Sequence, residues 1–210
     1  LQGTAWQRLA PPVGNVTLYD VAATTSAWFV SGDNGALLRL NADQTWTSLN
    51  TGTSEPLYGV AATGPTSAVA VGDFGTVVQL SGNTLTRVDA GVNVALNDVI
   101  VTPTGQWTAV GDGVALQSPN GTTWQRITPP YATRLLSAYF DGSNGLFLGG
   151  QRGVVMEQRG TAWSTRKRSI RRGSEHQPSS PRQALPVRKP SARDLPHFPS
   201  AYAPSWSTTE

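Results

Sequence analysis

The chain has no cysteine among its 210 residues. Disulfides, thiolate nucleophiles and zinc sites built on thiolates are therefore excluded. Lysine and histidine are both missing before residue 164, so no Ser-His-Asp relay can be assembled from that part. Glutamate is scarce there too, with only Glu55 and Glu157. A glycosidase needs two placed carboxylates, and no motif sets out such a pair. No apolar run approaches the ~20 residues of a membrane-spanning helix. GDGVAL at 111–116 lacks the Lys-Ser/Thr ending of a phosphate-binding loop. No Asp-x-Asp-x-Asp-Gly loop suggests calcium. The chain starts at Leu1 with no basic-then-apolar leader in view, so a targeting signal is not observable.

Two compositions share the chain. Residues 1–163 hold seven arginines and ten carboxylates, and residues 164–210 hold nine cations and three carboxylates. Seven of the 15 prolines but only one of the 22 glycines, Gly173, fall in the second part. The overall charge of +3 hides an acidic body and a basic end.

The body repeats itself. LYDVAAT at Leu18, LYGVAAT at Leu57, LNDVIVT at Leu96 and LLSAYFD at Leu135 advance by 39 residues each time. Asp33, Asp73, Asp112 and then Gln151 keep the same period within one residue, as do Trp6, Trp46, Leu85, Trp124 and Trp163. Each copy divides into four short segments, such as 18–24, 27–32, 36–41 and 45–50. Val, Leu, Thr and Trp fill them, and Gly, Asp, Asn and Ser separate them. Four strands in one such period predict the blade of a β-propeller. The second segments, WFV, AVAV, WTAV and LFLG, read as strands covered on both faces by neighbouring blades. AWQRL at 5–9 reads as an outer strand that precedes the first full set. The expectation is an all-β propeller domain over 1–166, with about four blades of a larger ring and a disordered tail over 167–210.

These repeats carry a resemblance. VSGDNGALLRL, VGDFGTVVQL and SPNGTTWQRI resemble the repeats of the photosystem II stability/assembly factor family. That family is related to the BNR (Asp-box) repeats of sialidases. Ser118, Asn120, Gly121, Thr123 and Trp124 are similar to an Asp box, with Asn in place of the Asp and one residue missing. The resemblance implies a propeller over about residues 4–164. It implies that Asp-box turns are structural and remote from any catalytic centre. Family members carry a surface arginine patch used in partner binding, which the resemblance implies here without fixing its residues.

Several residues recur at matched positions. Asp33, Asp73 and Asp112, with Gly35, Gly75 and Gly113, read as turn residues, since Gly accepts positive φ and Asp bonds nearby backbone. The alternative is a carboxylate ring that takes a cation or polar ligand. Trp6, Trp46, Trp124 and Trp163 read as structural aromatics on the outer strands, ring packed and indole N–H toward water. Arg8, Arg87 and Arg126 follow the outer-strand aromatic position, filled by Trp6, Leu85 and Trp124, by two residues, which puts both side chains on one face. They read as a basic stripe for an acidic partner or as charge that protects an edge strand. Tyr19 and Tyr58 share a repeat position and read as packing.

STRKRSIRRGSEHQPSSPRQALPVRKPSARDLPHFPSAYAPSWSTTE ends the chain. It holds too little apolar material to offset chain entropy. Its composition changes where another repeat would start, which is what a frameshift in the coding DNA gives. If native, RKRSIRR suits nucleic acid or an anionic membrane. The sequence thus points to a non-enzymatic protein-binding or assembly-scaffold propeller, without catalytic residues, metal or cofactor. Its Lys-free body, rich in Thr, Ser, Asn, Gly and Trp, suggests an extracytoplasmic location. The alternatives are a sialidase-like glycan-active enzyme and a polysaccharide-binding module.

Overall fold

The computed structural model describes residues 8–165. Trp6, most of the 5–9 segment and the basic tail lie outside the described residues. The fold is a β-propeller of four-stranded antiparallel blades. The first blade holds β1 (Leu18–Ala23), β2 (Ala27–Gly32), β3 (Leu37–Asn41) and β4 (Trp46–Ser48). The second holds β5 (Leu57–Gly64), β6 (Ser67–Gly72), β7 (Thr76–Ser81) and β8 (Thr84–Asp89). The third holds β9 (Leu96–Val101), β10 (Trp107–Gly111), β11 (Val114–Ser118) and β12 (Gln125–Ile127). The fourth holds β13 (Leu135–Phe140), β14 (Gly145–Gly150), β15 (Val154–Arg159) and β16 (Ala162–Thr165). In each sheet the strands pair in chain order, inner strand first.

Blades stack through their flat faces, as alternation requires. Directly paired residues on antiparallel strands share a face. In the first blade Ala27, Phe29 and Leu37 turn toward the second blade, where they meet Ala68, Ala70 and Val78. Val69, Val71 and Val77 of the second blade meet Trp107, Ala109 and Leu116 of the third. Val110 and Ala115 of the third meet Leu146, Leu148 and Met156 of the fourth. Three apolar layers result, each between two sheets. Each holds bulk against small residues, as Phe29 lies against two alanines.

The inner strands β1, β5, β9 and β13 pack on one another in sequence. Two carboxylates tie them. Asp20 Oδ2 accepts the Val60 N–H and Asp98 Oδ2 accepts the Ala138 N–H, both at 2.8 Å. The equivalent place in the second blade is Gly59. A Cβ there would lie 2.9 Å from the Asp98 Cα, so the strands close in directly.

Full two-sided cover, expected for every second strand, holds for β6 and β10 but not for β2, where Trp28 is exposed. The expectation assumed a blade on each side, and the first and fourth sheets each have one described neighbour.

A candidate recognition rim

One edge of the stack, here called the upper rim, gathers the turns between second and third strands. It also gathers the starts of the inner strands and the loops that lead to the next blade. The turns Asp33–Gly35, Asp73–Gly75 and Gln151–Gly153 are single 3-10 turns. The third copy is one residue shorter and keeps Asp112 and Gly113. Close approach explains the glycines. A Cβ on Gly35 or Gly75 would sit 2.0 Å from the carbonyl oxygen of Thr53 or Val92, and both residues have positive φ. Thr51 Oγ1 donates to the Gly35 carbonyl, and the Gly75 N–H donates to Val94 O, so each turn is bonded to the following loop.

The middle residue of each full turn also has positive φ. Asn34 suits it; Phe74, at φ 50°, does not. A left-handed conformation costs an L residue about 1–2 kcal/mol. The Phe74 ring is nonetheless 58% exposed.

The three aspartates share a position and differ in their bonds. Asp73 Oδ1 accepts the Phe74 N–H at 3.0 Å, the backbone role expected of all three. Asp33 Oδ1 instead accepts the Tyr19 hydroxyl at 2.6 Å. Asp112 Oδ1 accepts from Asn97 Nδ2 and pairs with Arg134 Nε at 2.8 Å. Each carboxylate thus has a partner. Among the described residues no group of three or more Asp, Glu or His could hold a metal ion. Tyr19 and Tyr58 meet edge to face with ring centroids 5.2 Å apart. The bond to Asp33 raises the Tyr19 pKa, and burial followed by the charges of Asp73 and Asp33 raises that of Tyr58. Of the two hydroxyls, that of Tyr19 donates to Asp33.

Two grooves open where these turns meet the outer strands. Phe74, Arg87, Asp89 and Val92 border a space of about 350 Å³. One blade on, Arg126, Ile127, Pro129 and Tyr131 border a smaller one of about 130 Å³. Arg87 pairs across from Val78 and Arg126 from Leu116, so the structure places both at the same blade position. Arg8 is exposed in coil before β1 and is not among the residues lining either groove.

The aromatics serve the stack. Trp124 packs on the layer between second and third blades, and Trp163 on the next layer. Trp46 is half-buried. The Trp124 indole N–H, expected to reach water, donates to Gly121 O at 3.1 Å. It closes the turn in which Ser118 Oγ accepts the N–H groups of Asn120 and Gly121, and Asn120 Oδ1 those of Thr122 and Thr123. This turn is on the opposite, lower rim. There Gln79 reaches across from the second blade to Asn120 O.

Phe74, Arg134, Asp20 and Asp98 were not singled out by sequence. The aspartates had a signal: the lone charge of an inner strand, at the same position in two repeats. Phe74 had none, because Phe is not a turn residue by type.

No protein-family model matches the sequence, and no curated protein matches it. Solved structures do. The WD40 β-propeller domain of Doa1 overlays with a TM-score of 0.61 at 14% identity, covering 77% of this chain and 58% of that one. An ancestral GH74 enzyme overlays at 0.53 and 13% identity, covering 70% of this chain and 25% of that one. YCF48 bound to D1 peptide matches at 14% identity over 76% of this chain and 69% of that one, with a TM-score of 0.38. The chain therefore spans only part of the length of each. The overlays on the Doa1 domain and the GH74 enzyme establish a β-propeller fold, and at that identity nothing narrower.

Proposed function

We propose that this chain is a non-enzymatic protein-binding or assembly-scaffold propeller, working outside the cytoplasm, and that its upper rim receives the partner. The observation that carries this reading is Phe74: an apolar ring held in water, on strained backbone, in a groove it shares with Arg87. Aromatic and arginine side chains dominate the energetics of protein interfaces. Local strain at an exposed turn is a cost the fold keeps where the residue has a use. Arg126 beside Tyr131 repeats the pairing one blade on. An acidic-aromatic segment that ran along the rim would meet a cation and a ring in each groove. The Lys-free, Thr- and Asn-rich body supports the location. The likeness of the repeats to assembly-factor sequences agrees with a scaffold role.

Panning a peptide display library on the immobilised chain tests the reading. Enriched peptides should carry acidic and aromatic residues. Their affinity should fall at least about tenfold, ~1.4 kcal/mol, in Phe74→Ala and in Arg87→Glu. No enrichment, or binding indifferent to both variants, would sink it. A polysaccharide-binding function is favoured by one feature, the exposed rings of Tyr19, Trp28 and Phe74. Retention on immobilised glycan that survives Arg87→Glu would support it instead. Turnover of an aryl-glycoside would favour the enzymatic alternative.

A further inference from the structure

The repeat provides an internal control for packing. At their lower ends the first two layers each set one large side chain against a smaller one. Phe29 lies against Ala68 in the first, and Trp107 against Val69 in the second. Phe29, Val69 and Thr108 hold one repeat position, and Ala68, Trp107 and Leu146 another. The third layer therefore sets Thr108 against Leu146, and neither supplies the missing bulk. A groove of about 390 Å³ opens there on the lower rim, lined by both residues. It is polar where the other layers are apolar or bridged. Thr108 is 1% exposed and puts a hydroxyl where Phe29 and Val69 are apolar. That hydroxyl has no hydrogen-bond partner among the described residues. Arg39 and Gln79 each cross to the next blade, to Pro65 O and Asn120 O. Gln117 pairs with Thr108 as Gln79 pairs with Val69, but among the described residues it makes no such bridge and lines the groove instead. The fourth blade contributes Phe140, Asn144 and Gln158. Asp141 Oδ1 accepts the N–H groups of Ser143, Asn144 and Gly145, which fixes the loop that carries Asn144 at φ 138°. Among the described residues, none that lines the groove is charged.

We propose that this groove binds a neutral saccharide. Side-chain amides and hydroxyls both donate and accept, as sugar hydroxyls do. The half-buried Phe140 ring offers an apolar face to the C–H side of a pyranose. An anion would want a cation in the lining, and an ammonium group a carboxylate. A peptide strand would want an open sheet edge, whereas both walls here are sheet faces. The volume falls in the roughly 300–1,000 Å³ range of small-molecule sites. The groove lies on the opposite rim from Phe74 and Arg87, so the proposal is independent of the partner received there.

The test is an array of short neutral oligosaccharides of glucose, galactose, mannose and xylose, printed beside uronate and sulfated glycans and probed with the intact 210-residue chain. Neutral glycans should retain it, undiminished by added salt. Titration calorimetry with the best-retained glycan should show affinity at least about fivefold weaker in Thr108→Val and in Gln117→Ala. Thr108→Val restores the residue type of Val69, and Gln117 is half-buried, so circular dichroism melts should show both variants folded. Thr108→Ser keeps the hydroxyl and should bind as the wild type does. So should Thr86→Ala, on an exposed outer strand of the second blade. Retention of no neutral glycan, or of acidic glycans alone, would overturn the proposal. Affinity unchanged in either folded variant would overturn it too, and would assign the sugar to the exposed rings of Tyr19, Trp28 and Phe74.

Discussion

Trp28 and Trp107 hold the same place in β2 and β10, and their surroundings differ. Trp107 is closed between the second and third blades, whereas Trp28 stands 43% exposed on the first. Sequence type, strand and register are the same. The difference lies in the sheet next door. Burial in this fold belongs to a pair of blades rather than to a residue, so the middle blades and the end blades should differ in energetics although their sequences read alike.

Replacing each tryptophan by alanine should separate them most widely. Trp107→Ala empties a closed layer and should cost about 3–5 kcal/mol, while Trp28→Ala should cost under about 1 kcal/mol, both read from urea denaturation. Equal losses would break the comparison. Glycines sharpen it next. A Cβ at Gly111 would lie 2.0 Å from the Ala95 carbonyl oxygen, and at the matched Gly150 of the fourth blade 2.8 Å from that of Arg134. Gly111→Ala should lose about 1–3 kcal/mol by overpacking, and Gly150→Ala should lose less.

Carboxylates give a smaller contrast, of opposite sign in the two regions. Asp98, between the third and fourth blades, has its pKa raised by burial; the bond from the Ala138 N–H works against that. A raised folded-state value means that native protein binds the proton more tightly than the unfolded chain does. The stability so gained is complete at pH below the ordinary carboxylate value of about 3.9 and is lost as pH rises through the folded value. Asp141, in an exposed turn of the fourth blade, is held well below the ordinary range by the N–H groups of Ser143 and Gly145. Its contribution is present above pH about 3.9 and lost as pH falls. Melting curves against pH should therefore flatten on the rising side in Asp98→Asn and on the acid side in Asp141→Asn. A slope unchanged by Asp98→Asn would contradict the burial of that carboxyl. The smallest effect belongs to the outermost strands. Exposed Thr86→Ala should change stability by no more than about 0.5 kcal/mol.

Much of this architecture was legible in the sequence, because a repeat reports the same strand four times. Predicted segments 18–24 and 27–32 correspond to β1 and β2 within a residue, and the Gly-Asp steps are the turns of the upper rim. What the sequence left out was set by neighbours. WFV in β2 reads like AVAV in β6, so the exposed Trp28 was invisible. Asp33, Asp73 and Asp112 looked alike, yet Tyr19, the Phe74 N–H and Arg134 give them three different partners. The rim arginines were legible by position. The grooves they line depend on Val92 and Tyr131, loop residues that hold one repeat position but differ in type.

Amide hydrogen exchange of the intact chain in dilute solution tests the dependence on neighbours most directly. Amides of β6 and β10 should exchange slowest, at the rate of global unfolding, and those of β1 and β13 much faster. Equal protection of β1 and β10 would contradict the account, because the two ends would then be as well supported as the middle.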